Sequence, residues 1–138
     1  MKNAVTVDAS VFVNAFSSDE NGSDESMNFL SQLSKDRVSL IQPTLFLPEV
    51  TASIARKQDD TDAALELERE LKDFLNITLV DLDEDIADFA SEIAAKHRLR
   101  GSDSVYAAVA LRFGTELISL DKEQLERLPK VLPVRKPG

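Results

Sequence analysis

The stretch Ala4-Val5-Thr6-Val7-Asp8-Ala9-Ser10 sets an apolar, β-branched run directly against an aspartate. The arrangement recurs late in the chain as Leu117-Ile118-Ser119-Leu120-Asp121. A strand of apolar and β-branched residues without charged or amide alternation is one covered on both faces, as in parallel sheets flanked by helices. Working outward, residues 10–16 carry Val11, Phe12, Ala15 and Phe16 at helical spacing, and a polar loop with Asn21-Gly22 follows. Residues 24–35 read as a helix with Met27, Leu30 and Leu33 on one stripe. Val38-Ser39-Leu40-Ile41 is a second strand, stopped by Pro43.

The alternation continues. Residues 44–57 read as a helix in which Pro48 is tolerable only near the first turn. The acids at 59, 60 and 62 cap an amphipathic helix over 59–75, with Leu65, Leu71, Phe74 and Leu75 as its apolar face. Ile77-Thr78-Leu79-Val80 is a third strand. Residues 83–98 form a helix with Ile86, Phe89, Ala90 and Ile93 inward, broken by Gly101. Ser102 is then expected to cap a helix over 103–113, with Gly114 just beyond its end. A fourth strand at 116–119, a short helix at 122–128, an apolar run at Val131-Leu132 and a frayed tail from Arg135 complete the reading. Short strands separated by helices imply a three-layer α/β/α domain with a short central parallel sheet. At 138 residues the chain is expected to form one domain, 1–138.

Composition bounds the function. Hydrophobic content of 43% and charged content of 30% are those of a folded, soluble chain. The absence of cysteine rules out disulfides and thiolate metal sites, and the expected compartment is the cytoplasm. Residues 1–7 reach Asp8 too soon for a secretion signal, and no run approaches the roughly 20 apolar residues of a membrane span. The net charge of −9 argues against a nucleic-acid partner unless acids gather at a cation site and basic residues line a groove beside it.

In open parallel sheets ligands collect beyond the carboxyl ends of the strands, near the switch in strand order. Asp8 and Asp121 follow strands there, Asp103 opens the helix leading into the last of them, and Glu49 lies early in the helix after the second. Each has an ordinary explanation alone: Asp8 and Asp121 as helix caps, Asp103 as a charge answering a helix dipole, Glu49 as a solvated residue. Together they form a cluster whose members repel one another. A hard cation such as Mg²⁺ or Mn²⁺ relieves that repulsion with all-oxygen ligation and suits phosphodiester hydrolysis.

Four stretches then carry a resemblance. Val5-Thr6-Val7-Asp8-Ala9-Ser10, Pro48-Glu49-Val50, Leu99-Arg100-Gly101-Ser102-Asp103-Ser104-Val105-Tyr106-Ala107-Ala108 and Leu117-Ile118-Ser119-Leu120-Asp121 resemble, in order, the four acidic motifs of the PIN-domain ribonucleases. The likeness is closest to the VapC-type toxins of toxin–antitoxin modules. It implies a Mg²⁺- or Mn²⁺-dependent endoribonuclease of PIN fold, usually dimeric and held inactive by a VapB-like antitoxin. By position, Asp8, Glu49, Asp103 and Asp121 would bind metal or orient the attacking water, with Ser10 and Ser119 as supporting hydroxyls. Arg56, Arg98 and Arg100 are the candidate contacts to RNA phosphates. Two competitors stand beside this reading. One is a catalytically silent PIN scaffold whose acidic pocket receives a basic segment of a partner. The other, a phosphoacceptor domain, needs an adjacent acid pair after the first strand, where this chain has Asp8-Ala9-Ser10.

Overall fold

The computed structural model describes residues 3–138. Met1 and Lys2, part of the run read above as too short for a secretion signal, lie outside the described residues. Five strands, β1 (Val5–Val7), β2 (Ser39–Pro43), β3 (Asn76–Val80), β4 (Glu116–Ile118) and β5 (Val134–Arg135), form one parallel sheet in the order β3-β2-β1-β4-β5. Among the described residues seven helices connect them: α1 (Ala9–Ala15), α2 (Ser23–Lys35), α3 (Phe46–Gln58), α4 (Thr61–Phe74), α5 (Glu84–His97), α6 (Gly101–Phe113) and α7 (Lys122–Arg127).

Right-handed crossovers dictate the layers. The chain steps from β1 to β2 to β3 in one direction, then returns across β2 and β1 to reach β4, which sends α5 and α6 to the opposite face from α1–α4. α6 lies on β1, β2 and β4 with α5 packed along it, while α1 packs on α2 and α3. The result is the expected three-layer α/β/α arrangement. The direction reverses at β1, so the switch point opens between the carboxyl ends of β1 and β4, which are in register as Val5↔Glu116, Thr6↔Leu117 and Val7↔Ile118.

Burial follows from this placement. Val5, Thr6 and Val7 are all buried because both faces of β1 are covered. The eight residues from Asp103 to Ala110 are likewise buried, since α6 sits between the sheet and α5. Phe12 and Phe46 meet with ring centroids 5.2 Å apart, anchoring α1 to α3. Each fully buried ring of this kind is worth roughly 1.5–3 kcal/mol.

Several details differ from the sequence reading. Pro43 ends β2 from within it, paired in register with Val80. Pro48 occupies the first turn of α3, where an N–H has no intrahelical acceptor, so the helix starts at Phe46. Helix α6 starts at Gly101, with Arg100 rather than Ser102 in the capping position. A lone Gly at the first helical position costs little, because the turn is fixed by the packing of the residues after it. On α4 the buried stripe is Ala64 and Leu71, continued by Leu75, whereas Leu65 and Phe74 are exposed. The tail is not frayed at Arg135. That residue extends β5, pairs with Glu116 at 3.1 Å and lies over the Phe29 ring. Val131-Leu132 proves to be the approach to this fifth strand, which two residues of apolar character were too few to announce.

Candidate active site

Asp8 is fixed first by the sheet. Its N–H donates to the Ile118 carbonyl at 2.8 Å, extending the β1–β4 ladder by one bond. The side chain then caps α1, with Oδ2 accepting from the Ser10 N–H at 2.9 Å. Capping and membership of the cluster therefore coexist in one residue.

A buried amide opens the sheet beside it. Gln42 on β2 accepts from the Val7 N–H at 2.7 Å and donates to the Val7 carbonyl at 2.8 Å. A side chain thus takes the main-chain bonds that β2 would have supplied, and the two strands are registered only through Val5↔Leu40. The backbones part where Asp8 begins.

The other three acids arrive from three helices. Asp103 is the third residue of α6 and is buried, its Oδ2 accepting from Arg100 Nε at 3.0 Å. Asp121 caps α7, with Oδ2 accepting from the Gln124 N–H at 2.9 Å and Oδ1 from Arg100 Nη2 at 2.8 Å. Glu49, in the first turn of α3, accepts the Tyr106 hydroxyl at 2.7 Å.

Electrostatics tie the four together. Burial raises the Asp103 carboxyl from its ordinary 3.8 to about 6, and repulsion from Asp121 and Asp8 adds to it against the pull of Arg100. Burial also raises Asp8, opposed by hydrogen bonds from Ser10 and Gln124, with Asp121 adding repulsion. Glu49 is raised by burial, with Asp8 and Asp103 pushing the same way and the Tyr106 hydroxyl opposing. Asp8, Glu49 and Asp103 are thus each raised in part by a neighbouring acid of the cluster.

Two residues hold this arrangement that sequence reasoning did not single out. Gln124 is fully buried. Its amide N–H₂ donates to Asp8 Oδ1 at 3.1 Å and to the Asp103 carbonyl at 3.3 Å, while its oxygen accepts the Ser119 hydroxyl. A capping box of Asp121 with Gln124 is therefore only half formed. Gln124 supplies its N–H to Asp121, but the Asp121 N–H turns to Ser119 Oγ at 2.9 Å, and the glutamine side chain points inward. The signal was present: Gln124 and Leu128 stand at i and i+4 on one stripe, both buried, so a polar residue there needed a polar partner. Tyr106 is the second, a phenol on an otherwise small and apolar buried face whose hydroxyl must find an acceptor.

The remaining candidates separate. Ser10 Oγ accepts the Leu120 N–H at 3.1 Å and so braces the loop to Asp121. Arg56 lies seven residues after Glu49 on α3, and the two line one shallow groove with Ser53. Arg98 ends α5 in the left-handed conformation, and its guanidinium folds back to the Ala95 carbonyl. Arg100 is on the carboxylates themselves. Among the described residues, no three His, Asp or Glu side chains converge on one point at ligating distance as they stand. The donor chemistry nevertheless fits a hard cation: all ligands are oxygens, and their mutual repulsion is of the kind such a cation relieves.

The PIN domain family model matches residues 5–131, and the chain belongs to that family. Its fold is shared with solved structures at low sequence identity. A toxin–antitoxin complex from Klebsiella pneumoniae is 16% identical with a TM-score of 0.70, covering 98% of each chain. VapC20 of Mycobacterium tuberculosis, a sarcin–ricin-loop-cleaving toxin, is 14% identical with a TM-score of 0.72, covering 94% of this chain and all of that one. VapBC2 of Rickettsia felis, bound to a promoter DNA fragment, is 14% identical with a TM-score of 0.67, covering 96% and 98%. No curated protein matches the sequence.

Proposed function

We propose that this chain, acting as a single domain over 1–138, is a Mg²⁺- or Mn²⁺-dependent endoribonuclease and the toxin of a VapBC-type pair. The observation that carries the reading is the gathering of Asp8, Glu49, Asp103 and Asp121 about the switch point of the sheet, where repulsion among the acids adds to burial in raising the carboxyls of Asp8, Glu49 and Asp103. These four would hold the metal, which supplies a water acidified toward neutrality and stabilisation of charge at phosphorus. Within the chain, Ser10 and Gln124 fix the Asp8 carboxylate by its two oxygens, and Tyr106 fixes Glu49. Ser119 orients Gln124 and braces Asp121, so both serines act as supports for the acids.

An RNA substrate needs cations near this pocket, and an overall charge of −9 hides them. Lys96, His97, Arg98, Arg127 and Lys130 line a groove of about 580 Å³, interrupted by the acid Glu126. Helix α7 connects it to the site, with Asp121 at one end and Arg127 at the other, about 9 Å apart at 1.5 Å per residue. Arg56, Arg98 and Arg100 are our candidate phosphate contacts, on two sides of the pocket. Single-stranded or looped RNA is the substrate class, because unpaired strands bring the backbone to a shallow site. The structural neighbours include complexes with antitoxins, which supports a VapB-like partner for this chain. A cytoplasmic homodimer is part of the same reading. No described helix is long and apolar enough to cross a membrane.

The test is incubation of the purified, partner-free chain with a cellular RNA pool in Mg²⁺ or Mn²⁺, then with chelator. Discrete fragments that appear only with metal are expected. Intact RNA in every metal, or cleavage indifferent to chelator, would refute the proposal. No cleavage together with no Mn²⁺ uptake would favour the silent scaffold.

A further inference from the structure

Arg100 is an unusual neighbour for a cation site. Its guanidinium donates from Nε to Asp103 Oδ2 at 3.0 Å and from Nη2 to Asp121 Oδ1 at 2.8 Å, a two-armed bridge between acids 18 residues apart in sequence. The consequence for Asp121 is complete engagement, since its other oxygen is taken by the Gln124 N–H. The consequence for the cluster is a fixed separation, because two carboxylates clamped on different nitrogens of one planar group cannot also close on a single point. This matches the finding that no three acidic side chains converge as they stand among the described residues.

The bridge is also easily released. The Arg100 side chain is 69% exposed, its hydrogen bonds run to these two carboxylates, and its backbone is in the relaxed extended region ahead of α6. Swinging it into solvent breaks its two bonds to Asp103 and Asp121 and requires no buried side chain to move. No second arginine replaces it, for Arg98 is folded onto the end of α5 and Arg56 lies beyond Glu49.

We propose that Arg100 is the resident counter-ion of the carboxylate cluster. On this account a divalent cation binds Asp103 and Asp121 only by displacing its guanidinium. Metal loading and the exposure of a phosphate-binding arginine at the rim of the pocket are then one event. This rests on reading the cluster as a divalent-cation site, and it adds a competition within the chain that sets how tightly the site holds its ion.

Mn²⁺ titration by calorimetry tests it on wild type, Arg100→Gln, Arg100→Lys and Lys122→Gln. Lys122 adjoins Asp121 in sequence and is highly exposed, with its amine directed to Glu126 at 4.0 Å, so its removal controls for charge alone. Arg100→Gln is expected to bind Mn²⁺ roughly three- to tenfold more tightly than wild type, a modest gain because an exposed ion pair is screened by water. Arg100→Lys, which keeps the charge and loses the planar fork, falls between. Lys122→Gln should change affinity less than twofold. Equal or weaker binding by Arg100→Gln, or a gain no larger than that of Lys122→Gln, overturns the competition while leaving the cation site standing. No Mn²⁺ uptake by any of the four proteins removes the site and the competition together.

Discussion

Removing the charge of Asp103 should make the protein more stable at neutral pH, in the absence of divalent metal. The carboxyl titrates at about 6 in the fold against its ordinary 3.8, so the folded protein holds a proton that the unfolded chain has already lost. Between those two values the native state binds more protons than the unfolded one, and stability therefore falls as pH rises through that window. Below 3.8 the burial of a neutral acid carries no such penalty. Above about 6 the penalty is fully present, at ~1.4 kcal/mol per pH unit roughly 3 kcal/mol. Water entering the cleft beside the exposed Arg100 reduces this to about 2 kcal/mol. Asp103→Asn keeps the shape and an acceptor for Arg100 while deleting the charge. Urea unfolding in chelator, followed by circular dichroism at pH 4 and pH 8, reads the effect directly. Wild type should lose at least about 2 kcal/mol across that range, a shift of roughly 1 M or more in midpoint. The variant should lose markedly less, the residue of its slope belonging to Asp8 and Glu49, whose carboxyls are also raised. An Asp103→Asn protein less stable than wild type at pH 8, or one with the wild-type slope, would refute the placement of a strained charge at this position.

Other substitutions probe the supports. Gln124→Leu leaves the Ser119 hydroxyl and Asp8 Oδ1 short of partners in a buried region, and should cost about 1–3 kcal/mol in urea unfolding together with most of the metal-dependent cleavage. Tyr106→Phe removes the hydroxyl that holds Glu49; it should cost about 1 kcal/mol of stability and lower cleavage while leaving the fold intact by circular dichroism. The glycines flanking α6 should respond in opposite senses in thermal unfolding. Gly101→Ala meets open space in a helical conformation and should be neutral or stabilising by up to about 1 kcal/mol, whereas Gly114→Ala forces an L residue into φ +68° and should destabilise by about 1 kcal/mol.

What the sequence made legible were the features written in local pattern. Apolar runs ending at Asp8 and near Asp121 located two covered strands, and the helical stripes located the helices between them. Once a parallel sheet was inferred, the place of the acids at its carboxyl edge followed from topology. Three kinds of feature were not legible. β5 is two residues long and owes its existence to Glu116 and Phe29, which meet Arg135 only in the fold. The exposure of Leu65 and Phe74 reflects where α4 happens to lean, and a stripe of leucines alone does not fix that angle. Gln42, Tyr106 and Gln124 reach partners as far as 35, 57 and 116 residues away, so only the general demand that buried polar atoms be paired hinted at them. Arg100 was read as a phosphate contact from its charge, and its position on Asp103 and Asp121 gives that charge a closer occupation.

Of the four carboxylates proposed to act together as the metal-dependent centre of an RNA-cleaving enzyme, Asp8 is the one most firmly built into the sheet edge. The most direct measurement is the rate of RNA cleavage in Mn²⁺ by Asp8→Asn beside wild type, both first shown to be folded by circular dichroism. An amide at position 8 still accepts the Ser10 N–H and caps α1, while its N–H₂ faces the Gln124 N–H₂ and that one bond is lost. The fold should persist at that local cost while cleavage falls by at least about a hundredfold, the scale on which removal of a group acting in the transition state is felt. A folded Asp8→Asn protein that cuts RNA at a rate near that of wild type would contradict the account.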